Sequence, residues 1–177
     1  MGNRLSGSGY RGRYCASQMI ESELLNKVSR AFSAVPKPTR FTRCGCAECR
    51  VLNAALIHRT SESLTEVDLR HSSCLLSSEA FQYLVPGLVR LSLTSGARDS
   101  DLADHFLAEL CAPISKDAAL ECLPRATSFT AQQKAAVLAF LVYIRDNTDW
   151  EYGQPSREII RGIKNWQLFL KVHEERH

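Results

Sequence analysis

The sequence predicts a mainly α protein, a single-domain helical bundle of five to seven helices. Three observations point there. Apolar residues recur at intervals of three and four along several segments, and no stretch alternates as a half-buried strand would. Ser, Thr, Pro and Gly fall where helices begin and end. At 177 residues, with 45% hydrophobic and 23% charged residues, the chain is long enough to bury one core and ordinary in composition.

Residues 1–16 are rich in Gly, Ser and Arg and are expected to form a mobile basic tail, with residues 17–177 as the single helical domain. The first helix is expected from Ser17, a candidate N-cap, with Ile20, Leu24, Leu25, Val28 and Phe32 on one face. Pro36 and Pro38 stop it, because a residue preceding proline is pushed out of the helical region. Lys37 to Cys46 reads as a basic loop. A second helix follows from Ala47 to His58, with Val51, Leu52, Ala55 and Leu56 inward. After a break at Thr60 to Ser63, Leu64, Val67 and Leu69 suit one short helical turn.

Ser77-Ser78-Glu79 starts the next helix, with a serine cap and an acid near the positive end of the helix dipole. Its stripe is Phe81, Leu84, Val85, Leu88, Leu91 and Leu93. Pro86 lies too deep for the first turn and is expected to kink or divide the helix. Asp99 to Leu110 is amphipathic through Leu102, Phe106, Leu107 and Leu110, and Pro113 follows it. Residues 114–128 suggest no more than a short helix around Lys116 to Cys122. Thr130-Ala131-Gln132-Gln133 matches a capping box, and Ala135, Leu138, Leu141, Val142 and Ile144 mark a central helix reaching Asn147. The last helix spans Ser156 to His173 and carries Ile159, Ile160, Ile163, Trp166, Leu168, Phe169 and Leu170.

Charge is uneven. Residues 1–50 hold nine Lys/Arg against three Asp/Glu, a balance of +6, and residues 51–177 hold thirteen against sixteen, a balance of −3. The basic third could meet an anionic partner or simply form a solvated face. No segment approaches the roughly 20 apolar residues of a membrane span. The first ten residues lack the apolar run of a secretory signal, so a cytoplasmic protein is expected. The seven cysteines are odd in number and irregularly spaced, which does not suit a disulfide framework. Cys111 and Cys122 read as small buried hydrophobes.

The densest chemistry lies in Cys44-Gly45-Cys46-Ala47-Glu48-Cys49, followed by His71-Ser72-Ser73-Cys74. Zinc takes four Cys or His ligands, and two-residue spacers let paired ligands reach one ion. Cys46, Cys49, His71 and Cys74 form two such half-sites, with Cys44 and His58 as alternates. A closed four-ligand shell would be a structural staple. The competing reading makes Cys49 and Cys74 core residues and leaves Cys44 and Cys46 as exposed thiols. A thioredoxin-like redox pair at Cys46/Cys49 would require a strand–helix context that the pattern lacks.

The stretch Cys46-Ala47-Glu48-Cys49, then Cys74, then Phe81-Gln82-Tyr83-Leu84-Val85-Pro86-Gly87-Leu88-Val89-Arg90-Leu91, resembles an uncharacterised family of bacterial proteins. That family is marked by a Cys-x-Glu-Cys motif and a Phe-x-Tyr-x-x-Pro-x-Leu-x-Arg-Leu helix. The resemblance covers residues 44–93. The family carries proline after the first cysteine and histidine three residues beyond the second, where this chain has Ala47 and Leu52. A family-type metal site would therefore need His58 or His71. The resemblance implies a bacterial, cytoplasmic, mostly helical protein with Phe81, Tyr83, Pro86 and Arg90 as framework residues, and it implies no activity.

The five histidines sit in no nucleophile, metal-hydrolase or phosphate-loop pattern. Asp101 and His105, four apart, could orient a base, but acids in a helix's first turn are ordinary. The expected function is thus a small non-catalytic interaction protein of the immunity, inhibitor or adaptor type, binding a protein partner through Trp150, Tyr152 and Trp166. One alternative is a zinc-stapled nucleic-acid-binding module using Arg40, Arg43 and Arg50. Another follows from Met1-Gly2-Asn3-Arg4-Leu5-Ser6, which fits N-myristoylation at Gly2. That would make an effector acting at a host membrane, and a second signal such as Cys15 would be needed for stable anchoring.

Overall fold

The computed structural model describes residues 9–69, 75–94, 101–111, 128–148 and 156–174. Among these residues there are seven helices and no strand. The helices are α1 (Gly9–Phe32), α2 (Ala47–Leu56), α3 (Glu66–Leu69), α4 (Ser78–Thr94), α5 (Asp101–Cys111), α6 (Ala131–Asn147) and α7 (Arg157–Glu174). The helical class and the element order match the reading of the sequence.

The core is built where α1, α4, α5, α6 and α7 meet. The α6–α7 contact is the most extensive, α1 packs on both α4 and α6, and α5 rests on α4 and α7. Aromatic rings join these helices. Phe106 of α5 lies 5.9 Å from Phe81 of α4 and 5.8 Å from Phe140 of α6. Phe129 bridges Phe32 of α1 and Trp166 of α7. Polar ties supplement the rings. The Tyr143 hydroxyl donates to Glu21 at 2.7 Å, linking α6 to α1, and the Gln82 amide donates to Gln133 at 2.8 Å, linking α4 to α6.

The capping box at Thr130 and Gln133 forms in both directions. Ser77 Oγ accepts from the Ala80 N–H at 3.1 Å, so a serine caps α4 as expected, and Ser156 Oγ accepts from the Ile159 N–H at 3.3 Å at the start of α7.

Three expectations need correction. First, α1 begins at Gly9, so the helix runs back through residues assigned to a mobile tail and Ser17 is not its cap. Second, several stripe residues are misassigned. Ile20 of α1, Val51 of α2 and Val67 of α3 are 49%, 73% and 71% exposed, and α2 buries the narrower row Cys49, Leu52 and Leu56. Third, of the two outcomes expected at Pro86 the division does not occur, and α4 runs through it as one helix. A mid-helix proline costs about 3 kcal/mol, whereas burying one large apolar side chain contributes about 1.5–3 kcal/mol. Leu84, Val85, Leu88 and Val89 flank Pro86 and are all fully buried, so packing outweighs the break. The 60–64 loop also closes on this stretch. Arg90 Nη2 donates to the Leu64 carbonyl at 2.6 Å, and Gly87 lies against the Ser61 carbonyl so closely that a Cβ there would collide with it.

Candidate metal centre

The cysteine loop is held from two sides. Phe41, fully buried, donates its N–H to Asn53 Oδ1 of α2 at 2.7 Å and accepts from the Ser77 N–H at 2.9 Å. Thr42 forms an isolated antiparallel bridge with Leu76. The Arg43 N–H donates to the Leu75 carbonyl at 3.0 Å, and Arg43 Nε donates to the Leu76 carbonyl at 2.9 Å. The chain therefore leaves a pinned segment at Cys44 and turns into α2.

Cys46 is the N-cap of α2. Its backbone is extended (φ −62°, ψ 168°), and its Sγ accepts from the Cys49 N–H at 3.5 Å. A sulfur stands where a hydroxyl or carboxylate usually caps a helix, and it accepts well only as the thiolate. Cys44 Sγ lies 3.2 Å from both Cys46 Sγ and Cys49 Sγ. The three sulfurs all fall within 4.8 Å of one another, the only such Cys/His/acid group of three or more among the described residues. Cys44 and Cys46 are exposed, Cys49 is buried, and all three are free thiols.

The hydrogen bond from the Cys49 N–H, followed by those from the neighbouring thiols, holds the Cys46 thiol below its ordinary range against burial and the Glu48 charge. Cys44 moves the other way. A backbone hydrogen bond at Cys46 favours its thiolate, but its bonds to the Cys46 and Cys49 sulfurs and its burial hold it above the ordinary range.

A tetrahedral zinc with Zn–S bonds of about 2.3 Å needs its sulfurs about 3.8 Å apart. Cys44 Sγ, 3.2 Å from each of the other two sulfurs, would have to move out by about 0.6 Å to take that spacing. Arginines surround the loop. Arg50 Nη1 donates to the Gly45 carbonyl at 3.0 Å, and Arg40 Nη2 lies 3.9 Å from where a Cβ on Gly45 would stand. Arg40, Arg43 and Arg50 are all exposed.

Of the ligands chosen from the sequence, the structure brings together Cys46, Cys49 and the alternate Cys44. His58 lies beyond the C-terminus of α2 and does not join the group. His71 and Cys74 lie outside the described residues, as do Trp150, Tyr152 and Gly2. Trp166 is not a surface anchor. It is 3% exposed, packs against Phe129 and Phe169, and donates Nε1–H to the Leu110 carbonyl at 2.9 Å. Asp104 and His105 are exposed on α5 and form an ordinary polar face.

A cleft of about 460 Å³ lies between α1, the 60–62 loop and α4, lined by Ser29, Phe32, Ser61, Glu62, Tyr83 and Pro86 among others. Its walls come from three separated segments, so no local motif could mark it. No helix among the described residues is long and apolar enough to cross a membrane. No family model, curated protein or solved structure matches the chain.

Proposed function

We propose that this protein is a non-catalytic binding module in which a zinc ion on Cys44, Cys46 and Cys49 fixes the basic segment ahead of α2 for an anionic partner, a nucleic acid. The observation that carries this reading is the convergence of three thiols within 4.8 Å, with exposed Arg40 and Arg50 beside the intervening Gly45. Thiolates are soft ligands that select zinc over hard cations. Three or four thiolates around Zn²⁺ leave a net negative charge, which Arg40 and Arg50 beside Gly45 would offset. The proposed fourth ligand is Cys74, which directly precedes Leu75 in the chain. Leu75 in turn accepts from the Arg43 N–H, one residue before Cys44.

Native mass spectrometry of the reduced protein tests the metal. A zinc-sized increment lost in chelator is expected, and a bare monomer would remove zinc from the proposal. Binding to a labelled duplex tests the partner. Three arginine–phosphate contacts give a slope of log K against log salt of about −2.7, or about 40-fold weaker binding at 200 mM than at 50 mM. Salt-independent binding would exclude the nucleic acid.

A second reading, a protein partner of the immunity or inhibitor type, is favoured by Val51 on α2 and Val67 on α3, large apolar side chains left to solvent on two helices that pack together. If Val51→Asp and Val67→Asp leave capture of a co-purifying protein unchanged, that surface is not its contact. Action at a membrane would rest on acylation of Gly2, and a Gly2→Ala change would release the protein.

A further inference from the structure

We infer that the metal-free Cys44/Cys46/Cys49 cluster performs thiol–disulfide exchange with small acidic disulfides, with Cys46 attacking and Cys44 resolving. The inference uses the thiols of the proposed metal site but does not depend on a metal being bound there.

Exchange needs a sulfur that a dissolved disulfide can reach, and a second sulfur close enough to displace the adduct. Cys46 is exposed at the first turn of α2, with the Cys49 N–H directed at its sulfur. Cys44 Sγ, at 3.2 Å, is poised to resolve. A disulfide bond is about 2.05 Å long, so closure needs an approach of little more than an ångström. Cys49 has no solvent exposure and cannot meet a dissolved disulfide, although its sulfur also lies 3.2 Å from Cys44. The surroundings select the substrate. Arg50 is bonded to the Gly45 carbonyl, and Arg40 reaches the space over Gly45. Both place cationic groups beside the loop that joins the two reacting cysteines, where they would attract carboxylates on the incoming disulfide.

The chemistry closes on itself. Cys46 loses its proton to solvent and attacks one sulfur of the disulfide RSSR. A Cys46–SR bond forms, the S–S bond of RSSR breaks, and RS⁻ leaves. Cys44 then loses its proton and attacks the Cys46 sulfur. A Cys44–Cys46 disulfide forms and the second RS⁻ leaves. The protein dithiol is oxidised by two electrons, RSSR is reduced to two thiols, and the two protons released match the two thiolates formed. Such a disulfide withdraws two of the three metal ligands.

The test uses the full chain, stripped with chelator, reduced, and exposed to glutathione disulfide. The wild type should pass to an internal disulfide that peptide mapping places at Cys44–Cys46. Cys44→Ser should accumulate a glutathione adduct on Cys46, and Cys49→Ser should still form the internal disulfide. Oxidation of Cys46→Ser at the wild-type rate, or an adduct trapped by Cys49→Ser and not by Cys44→Ser, would overturn the assignment. Mapping the first modified cysteine of the wild type at short times gives the same answer without any variant. The anionic probe should react about tenfold faster than the cationic disulfide cystamine at low salt, after correction for the ratio shown by a free small thiol. Equal corrected rates would overturn the substrate class. Exchange without zinc binding would remove the metal reading alone, and zinc binding without exchange would remove this inference alone.

Discussion

Single residues divide sharply by environment. Burial pushes the Cys111 thiol up to about 12, only partly offset by the Arg161 charge. At pH 8 its reactive thiolate is therefore about 10⁻⁴ of the total. Treatment of the native protein with iodoacetamide at pH 8 should label Cys44 and Cys46 and spare Cys111, with labelling of Cys111 appearing only on unfolding. Mass mapping at timed intervals checks this, and labelling of Cys111 at the rate of Cys46 would contradict its burial. The sequence made Cys111 legible as a core thiol because it ends an amphipathic stripe. Trp166 is equally legible, from its place on the stripe of the last helix rather than as a contact residue. Ile159, Ile163, Trp166 and Phe169 keep helical spacing, so the stripe that buries Ile159 and Ile163 buries the indole too. A preference of tryptophan for interfaces is a weaker signal than its place on an apolar face. Spacing alone favours a two-residue separation and makes Cys44 an alternate ligand. Its closeness to the other sulfurs comes from the Thr42–Leu76 bridge, which no local pattern encodes.

At the level of elements, the short helices add polar ties to the apolar side chains they place in the core, Leu52 and Leu56 of α2 and Leu69 of α3. α2 is joined to α3 through Arg59 and Asp68. Arg59 Nε and Nη2 donate to Asp68 Oδ1 at 3.0 and 2.8 Å, and the Thr65 N–H and hydroxyl donate to Asp68 Oδ2 at 2.9 and 2.6 Å. Burial alone would raise the Asp68 carboxyl, but the Thr65 hydrogen bonds and the Arg59 partner outweigh it and hold the carboxyl below its ordinary 3.8. A depressed carboxyl contributes stability that is fully present above the unfolded value and is lost as pH falls through the folded value. Asp68→Asn should therefore cost about 1–2 kcal/mol at pH 7, since the charged hydrogen bonds are only partly screened. The difference from wild type should shrink below pH 4 and vanish in stronger acid. Asp146 is also lowered, by Arg145, but this pair is exposed, and Asp146→Asn should leave the pH profile unchanged. Denaturant midpoints from pH 2 to 7 decide the matter, and a constant Asp68→Asn difference across that range would refute the assignment. Helix type and order were readable because periodicity and caps are local. The survival of α4 through Pro86 was not, because the packed bundle decides it.

The whole molecule separates a ring-stacked core from a polar rim. Phe106 lies between Phe81 and Phe140, fully buried, at the meeting of α4, α5 and α6. Removing it should cost about 3–5 kcal/mol, a large part of the 5–15 kcal/mol that usually holds a domain together. The cysteine loop lies elsewhere. α2 packs chiefly on α3, places Leu52 and Leu56 at the edge of the core, and is tied to the rest of the chain by hydrogen bonds through Asn53, Phe41 and the 75–77 segment. Local opening draws on the contacts of the unit that opens. Residues 41–56 should therefore exchange their amide hydrogens through a cheaper opening than α6, whose buried face includes Val137, Phe140, Leu141 and Ile144. An ion on the three thiols would stabilise the closed loop by mass action and leave the core unchanged. Hydrogen exchange with and without zinc should thus show added protection over 41–56 and none over α6. Equal protection of both regions would mean that the loop and the core unfold as one unit. Protection of neither would mean that zinc does not couple to the loop. The arginines beside Gly45 would then have to be held in place by the Asn53 and Leu75–Ser77 hydrogen bonds alone.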